Sequence, residues 1–158
     1  MAVQFDFTGK TAIVTGAGSG IGAAVAWELA RSGAHVAVSD IDFAAAERVA
    51  SEMRAEGLKA VPFAADVADP SAAEQLVAFA RQEGGALHLA VNNAGIGGPS
   101  FPTGEYPLDG WRNVIDINLN GVFYAMRFQI PAMLAAGGGA IVNMSSILGS
   151  VGFGNASA

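Results

Sequence analysis

A short apolar run, Thr11 to Val14, leads directly into Thr15-Gly16-Ala17-Gly18-Ser19-Gly20-Ile21-Gly22, and a helix-like stretch from Ile21 to Arg31 follows. This order of strand, glycine turn and helix restricts the fold more than any other feature of the chain. A tight turn needs one or two glycines, and each extra one in or near a helix costs about 0.5–1 kcal/mol. Glycine at positions 16, 18, 20 and 22 is accounted for if the backbone must come within hydrogen-bonding distance of a pyrophosphate. The first N–H groups of the helix then face the negative charge. The spacing, Gly16-x-x-x-Gly20-x-Gly22, differs from the commoner G-x-G-x-x-G because position 21 is Ile.

Strand-like and helix-like segments alternate from there on. Thr11–Thr15, a helix over Ile21–Ser32 ending at Gly33, and His35–Ser39 closed by Asp40 make a βαβ unit. Phe43 to Ala55 places Phe43, Ala46, Val49, Ala50 and Met53 on one helical face before Gly57 stops it. Ala60–Ala65 is a third strand. Asp69-Pro70 starts a helix, with Asp as N-cap and Pro in the first turn. Leu87–Val91 is a fourth strand, one long helix is expected from about Pro107 to Ala136, and Ala140–Met144 is a fifth strand. The expectation is an α/β fold: a Rossmann-type, doubly wound parallel sheet of five strands with right-handed crossovers. At 158 residues it is one domain.

Several classes of function are disfavoured. The net charge of −6, from 14 acidic against 8 basic residues, with no basic run, argues against a nucleic-acid partner. There is no cysteine, so a disulfide framework and thiol chemistry are excluded. No metal cluster can be assembled, and no metal is expected. Met1 to Lys10 carries Asp6 and Lys10 and lacks the apolar core of a signal peptide. No apolar stretch approaches the roughly 20 residues of a membrane span, so no membrane partner is expected and a cytoplasmic location is the default.

Ligands of such sheets bind where the strands end. The polar candidates each follow a strand: Gly16–Gly22, Asp40, Asp66, Asn92–Gly95 and Asn143–Ser146. Asp40 lies about 20 residues past the glycine turn, where an acid accepts hydrogen bonds from adenosine ribose hydroxyls. Neither Ser19 nor Ile41 offers the cation that a 2′-phosphate requires, so the expected cofactor is NAD rather than NADP. Asp66 either touches the adenine edge or serves as a turn carboxylate. The amides of Asn92 and Asn93 either line the site or stabilise a turn, and Asn118 either bonds back to its helix or has a role of its own. His35 and His88, at strand starts with no acid or serine at a suggestive spacing, are read as structural.

Taken in order, Thr15–Gly22, Asp40, Asp66-Val67, Asn92-Asn93-Ala94-Gly95, Asn118 and Asn143-Met144-Ser145-Ser146 resemble the motifs of the short-chain dehydrogenase/reductase family, from about Phe7 onward. The resemblance implies hydride transfer between a nicotinamide cofactor and an alcohol or carbonyl substrate. It implies cofactor contacts from Gly16, Ser19, Gly20, Ile21, Gly22, Asp40, Asp66, Val67, Asn93, Ala94 and Gly95. Asn118 matches the family's helix Asn, whose main-chain carbonyl holds a water in a proton relay. Ser146 matches the serine that hydrogen-bonds the substrate oxygen, with Ser145 the lesser choice.

The family's Tyr-x-x-x-Lys is the departure. It is expected about a dozen residues after the serine, and Ala158 falls at its threshold; Tyr106 is followed four residues on by Gly110, and Tyr124 by Phe128. The expectation is therefore a single NAD(P)-binding domain over 1–158, C-terminally truncated, that holds cofactor and turns over little or nothing alone. Ala140–Met144 would then be an apolar edge strand. A homo-oligomer, dimer or tetramer, is expected for the longer protein. The alternative is a non-catalytic module that binds dinucleotide or pairs with other subunits.

Overall fold

Five parallel strands carry the molecule: β1 (Thr11–Thr15), β2 (His35–Asp40), β3 (Ala60–Ala64), β4 (Leu89–Asn92) and β5 (Ala140–Asn143). The computed structural model describes residues 5–158, so residues 1–4 of the Met1–Lys10 segment lie outside the described residues. The strand order is β3-β2-β1-β4-β5. The chain winds outward from β1 to β3, then returns to β4 on the other side of β1. A crevice opens at this reversal, above the carboxyl ends of β1 and β4.

Between the strands run α1 (Gly20–Arg31), α2 (Phe43–Ala55), α3 (Pro70–Gly84), α4 (Leu108–Ile115) and α5 (Gly121–Ala135). Side chains alternate across a strand, so β1, β2 and β4 feed two cores. Ala12, Val14, Val36 and Val38 pack with Ala26 and Ala30 of α1 and with Val49, Ala50 and Met53 of α2. On the opposite face Ile13, Ala37 and Ala90 pack with Leu76, Val77 and Ala80 of α3 and with Ala132 and Met133 of α5. Burial on both faces explains why the central strands are continuous apolar runs.

Two helices start on aspartates. Asp42 Oδ1 accepts from the amides of Ala44 and Ala45, and Asp69 Oδ1 accepts from Ser71 with Pro70 in the first turn. The expected inward face of α2 holds at Ala46, Val49, Ala50 and Met53, but Phe43 is 52% exposed. It is the first residue of α2, which starts three residues past the end of β2. The long helix expected from Pro107 to Ala136 is interrupted: Asp116–Asn120 forms a π turn between α4 and α5. β5 is an edge strand, with Val142 55% exposed. Among the described residues no helix is long and apolar enough to cross a membrane, and no cluster of metal-ligating side chains occurs.

Candidate functional site

The crevice holds a cleft of about 420 Å³. Gly16, Ser19, Gly20, Ile21 and Gly22 line it from the first turn, Asp40 from the end of β2, and Asp66 and Val67 from the segment after β3. Asn93, Ala94 and Gly95 line it from the segment after β4. Every residue expected to contact cofactor thus faces one space. Ile41, Ala65, Ile96 and Ile117 complete the walls; Ala65 and Ile117 are not anticipated from the motifs, and all four immediately adjoin motif residues.

The glycine turn approaches its neighbours too closely for side chains. Gly16 has φ +62°, and a Cβ there would stand 2.9 Å from Ala94 Cα; a Cβ on Gly22 would collide with the Gly16 carbonyl. Gly20 also has a positive φ, +54°, but nothing lies within 4 Å of where its Cβ would be. It faces the open cleft.

Ser19 is the N-cap of α1, yet its side chain makes no capping bond, and the first turn of α1 carries no acid. The first-turn amides of α1 therefore lack the carboxylate partners that Asp42 and Asp69 provide to α2 and α3. Unpartnered N–H groups and the helix dipole favour an anion at this point.

Hydrogen bonds from the neighbouring strand ends hold the turn. Asn93 Nδ2 donates to the Thr15 and Gly16 carbonyls at 3.0 and 3.3 Å. Thr15 Oγ1 accepts from the amides of Asn93 and Ala94 at 3.0 and 3.2 Å. Asp40 Oδ2 accepts from the Gly18 amide at 2.9 Å, and its Oδ1 accepts from Asp42 N at 3.1 Å. Arg48 Nη2 donates to the Gly18 carbonyl at 2.9 Å. Asp66 Oδ1 accepts from Ala68 N at 2.9 Å, so it closes a turn while also lining the cleft.

The adjacent amides have separate tasks. Asn93 faces the glycine turn, whereas Asn92 is buried and bonds to Gln129 of α5 and to Asn143 of β5. Asn118 lies within the π turn, and its side chain pairs with the main chain of Ile96: Nδ2 donates to the carbonyl at 2.8 Å, and Oδ1 accepts from the amide at 2.9 Å. That pairing ties the helix to the cleft wall. A π turn breaks the regular helical bonding and is frequent at functional sites. Ser146 is exposed, starts a short turn by accepting from Leu148 N at 3.2 Å, and does not line the cleft. It follows β5, one strand further from the crevice than β4.

The short chain dehydrogenase family model matches residues 10–158. Cyclohexanol dehydrogenase of Acinetobacter sp. (strain SE19) is 52% identical over 151 residues, which is 96% of this chain and 60% of that protein. Cis-4-hydroxycyclohexanecarboxylate dehydrogenase of Sinomonas cyclohexanicum is 44% identical over the same shares. Among solved structures, NAD+-bound xylitol dehydrogenase superposes with a TM-score of 0.91 at 33% identity, covering 96% of this chain and 58% of that one. A short chain dehydrogenase/reductase from Burkholderia phymatum in complex with NAD gives 0.92 at 33% identity, covering 96% and 54%. The chain spans about 60% of the length of the curated relatives it matches.

Proposed function

The chain belongs to the short chain dehydrogenase family, and from that premise we propose that its cleft binds NAD and serves an oxidoreductase that moves hydride between NAD and an alcohol or carbonyl carbon. One observation carries this reading: the uncapped start of α1, the glycine turn, Asp40 and the Asn93–Gly95 segment converge on one cleft. The residues fit the cofactor. Gly20 leaves room where a pyrophosphate would lie against the first amides of α1, and Asp40 offers carboxylate oxygens to the adenosine ribose. Asp66, Val67, Asn93, Ala94 and Gly95 line the same cleft and would hold the rest of the dinucleotide. NAD, when bound, supplies the hydride acceptor; the chain's own residues hold and orient it.

Asn118 and Ser146 are assigned to proton relay and to the substrate oxygen, respectively. Transfer of a proton near neutrality by a tyrosine, whose unperturbed pKa is about 10, needs a neighbouring cation. Neither Tyr106 nor Tyr124 has a lysine four residues on. Residues 1–158 by themselves therefore bind cofactor without turnover. The relatives named for cyclohexanol, for a hydroxycyclohexanecarboxylate and for a cyclohexadienediol support a ring-borne secondary alcohol as the substrate class. Leu119 of the π turn and Phe123 and Leu134 of α5, all exposed, favour a homo-oligomer.

Fluorescence titration of residues 1–158 with NADH tests the binding claim: a saturable signal is expected, and its absence overturns the reading. Cyclohexanol and NAD then test turnover. It is expected only when the chain is extended through a Tyr-x-x-x-Lys, and turnover by residues 1–158 alone would refute that requirement.

A further inference from the structure

Among the described residues no lysine or arginine lines the cleft, while two acids, Asp40 and Asp66, do. One cation nevertheless reaches the glycine turn behind it. Arg48, on α2, donates from Nη2 to the Gly18 carbonyl at 2.9 Å, and the amide of the same glycine donates to Asp40 Oδ2 at 2.9 Å. Gly18 is thus gripped on its carbonyl side by a guanidinium and on its amide side by a carboxylate. The approach is close: a Cβ on Gly18 would stand 2.7 Å from Ala45 Cβ and 2.8 Å from Asp40 Oδ2. The other Arg48 nitrogen, Nη1, meets Glu52 Oε1 at 3.3 Å, with both side chains more than half exposed. An exposed pair of this kind holds its partners weakly, so Nη1 is free to leave Glu52 for a better anion, while Nη2 stays on the glycine whose amide Asp40 holds.

We infer that Arg48 is a specificity-determining residue that limits how strongly the cleft rejects a 2′-phosphorylated dinucleotide, an inference that rests on the dinucleotide reading of the cleft. Asp40, fixed by the amides of Gly18 and Asp42, presents a negative charge where the extra phosphate would lie and disfavours it. Arg48 opposes that effect, because its planar fork matches phosphate oxygens two at a time. The preference for NAD over NADP is the balance of these two side chains, and removal of Arg48 sharpens it.

The test is a set of four titrations with NADH and with NADPH at low ionic strength, on the unaltered protein, Arg48→Gln, Asp40→Ser and the double variant. The readout is the ratio of the NADPH to the NADH dissociation constant, which a general loss of folding does not move. Arg48→Gln is expected to raise this ratio about tenfold, the size of one charge-assisted hydrogen bond. Asp40→Ser is expected to lower it, with most of the lowering lost when Arg48→Gln is added. Arg48→Lys, which keeps the charge without the fork, is expected to fall between. A ratio indifferent to Arg48→Gln in both backgrounds overturns the inference while leaving the cofactor site standing. Failure of the unaltered protein to bind NADH overturns both.

Discussion

Asn92 and Gln129 exchange two amide hydrogen bonds inside the protein, Nδ2 to Oε1 at 3.1 Å and Nε2 to Oδ1 at 2.8 Å, with Gln129 only 1% exposed. Asn92 Nδ2 also donates to Asn143 Oδ1 at 2.8 Å, and the Asn92 carbonyl accepts from Met144 N at 2.9 Å. Gln129 thereby anchors Asn92, and Asn92 ties the end of β4 to the end of β5.

Removing the Gln129 amide leaves Asn92 Oδ1 buried without a donor. Gln129→Leu is therefore expected to destabilise the fold by about 1–3 kcal/mol, although leucine is the more apolar side chain. Urea denaturation followed by circular dichroism checks this: the midpoint falls at an unchanged slope. An unchanged midpoint would show that the amide pair adds nothing net.

The turn itself depends on Asn93, whose Nδ2 is shared between the Thr15 and Gly16 carbonyls. Asn93→Ala releases both acceptors and is expected to weaken NADH binding about tenfold, with a loss of stability of about 1–2 kcal/mol. Asn93→Asp should be worse than alanine, because it sets a carboxylate against two carbonyl oxygens. Parallel NADH and denaturant titrations separate the two effects. Binding by Asn93→Ala as tight as that of the unaltered chain would mean that Thr15, Asp40 and Arg48 hold the turn without it.

The contrast between Asn92 and Asn93 also shows where sequence reasoning stops. Local signals were sufficient for β1 and α2, whose bounds match the apolar run at Thr11–Thr15 and the stretch Phe43–Ala55. They were sufficient as well for gathering the cleft, since a parallel sheet brings its strand ends together whatever the side chains. Two neighbouring amides in a sequence carry no sign of which one turns inward; that is decided by Gln129, 37 residues away. Arg48 on Gly18 spans 30 residues and follows no local pattern. The π turn at Asp116–Asn120 was equally hidden, because its apolar spacing is compatible with a continuous helix. Ser146 follows a strand as expected, yet it stands outside the cleft because β5 is displaced from the β1–β4 crevice.

Asp42 provides a test of α2, the helix that carries Arg48. Its Oδ1 accepts from Ala44 N at 2.9 Å and from Ala45 N at 3.3 Å. Asp42→Ala is expected to cost about 1 kcal/mol, with Asp42→Ser recovering most of it. Thermal unfolding of the three proteins checks the order, and equal stability of the alanine and serine variants would contradict a capping role.

His88 should make stability fall on mild acidification. Its Nδ1 accepts a hydrogen bond from the Thr11 amide at 3.1 Å, which requires that nitrogen to be unprotonated. Burial, then the charge of Lys10, hold its pKa below the ordinary 6.5. The unfolded chain therefore takes up the proton first as pH drops. The stabilising contribution is complete above about pH 6.5 and is lost as pH falls through the lower, folded-state value. Comparing urea midpoints at about pH 7.5 and about pH 5 should show a decrease in the unaltered chain, above the range where most carboxylates titrate. In His88→Gln, whose side-chain oxygen can accept a hydrogen bond without titrating, the decrease should shrink. An equal decrease in both proteins would place the acid sensitivity elsewhere.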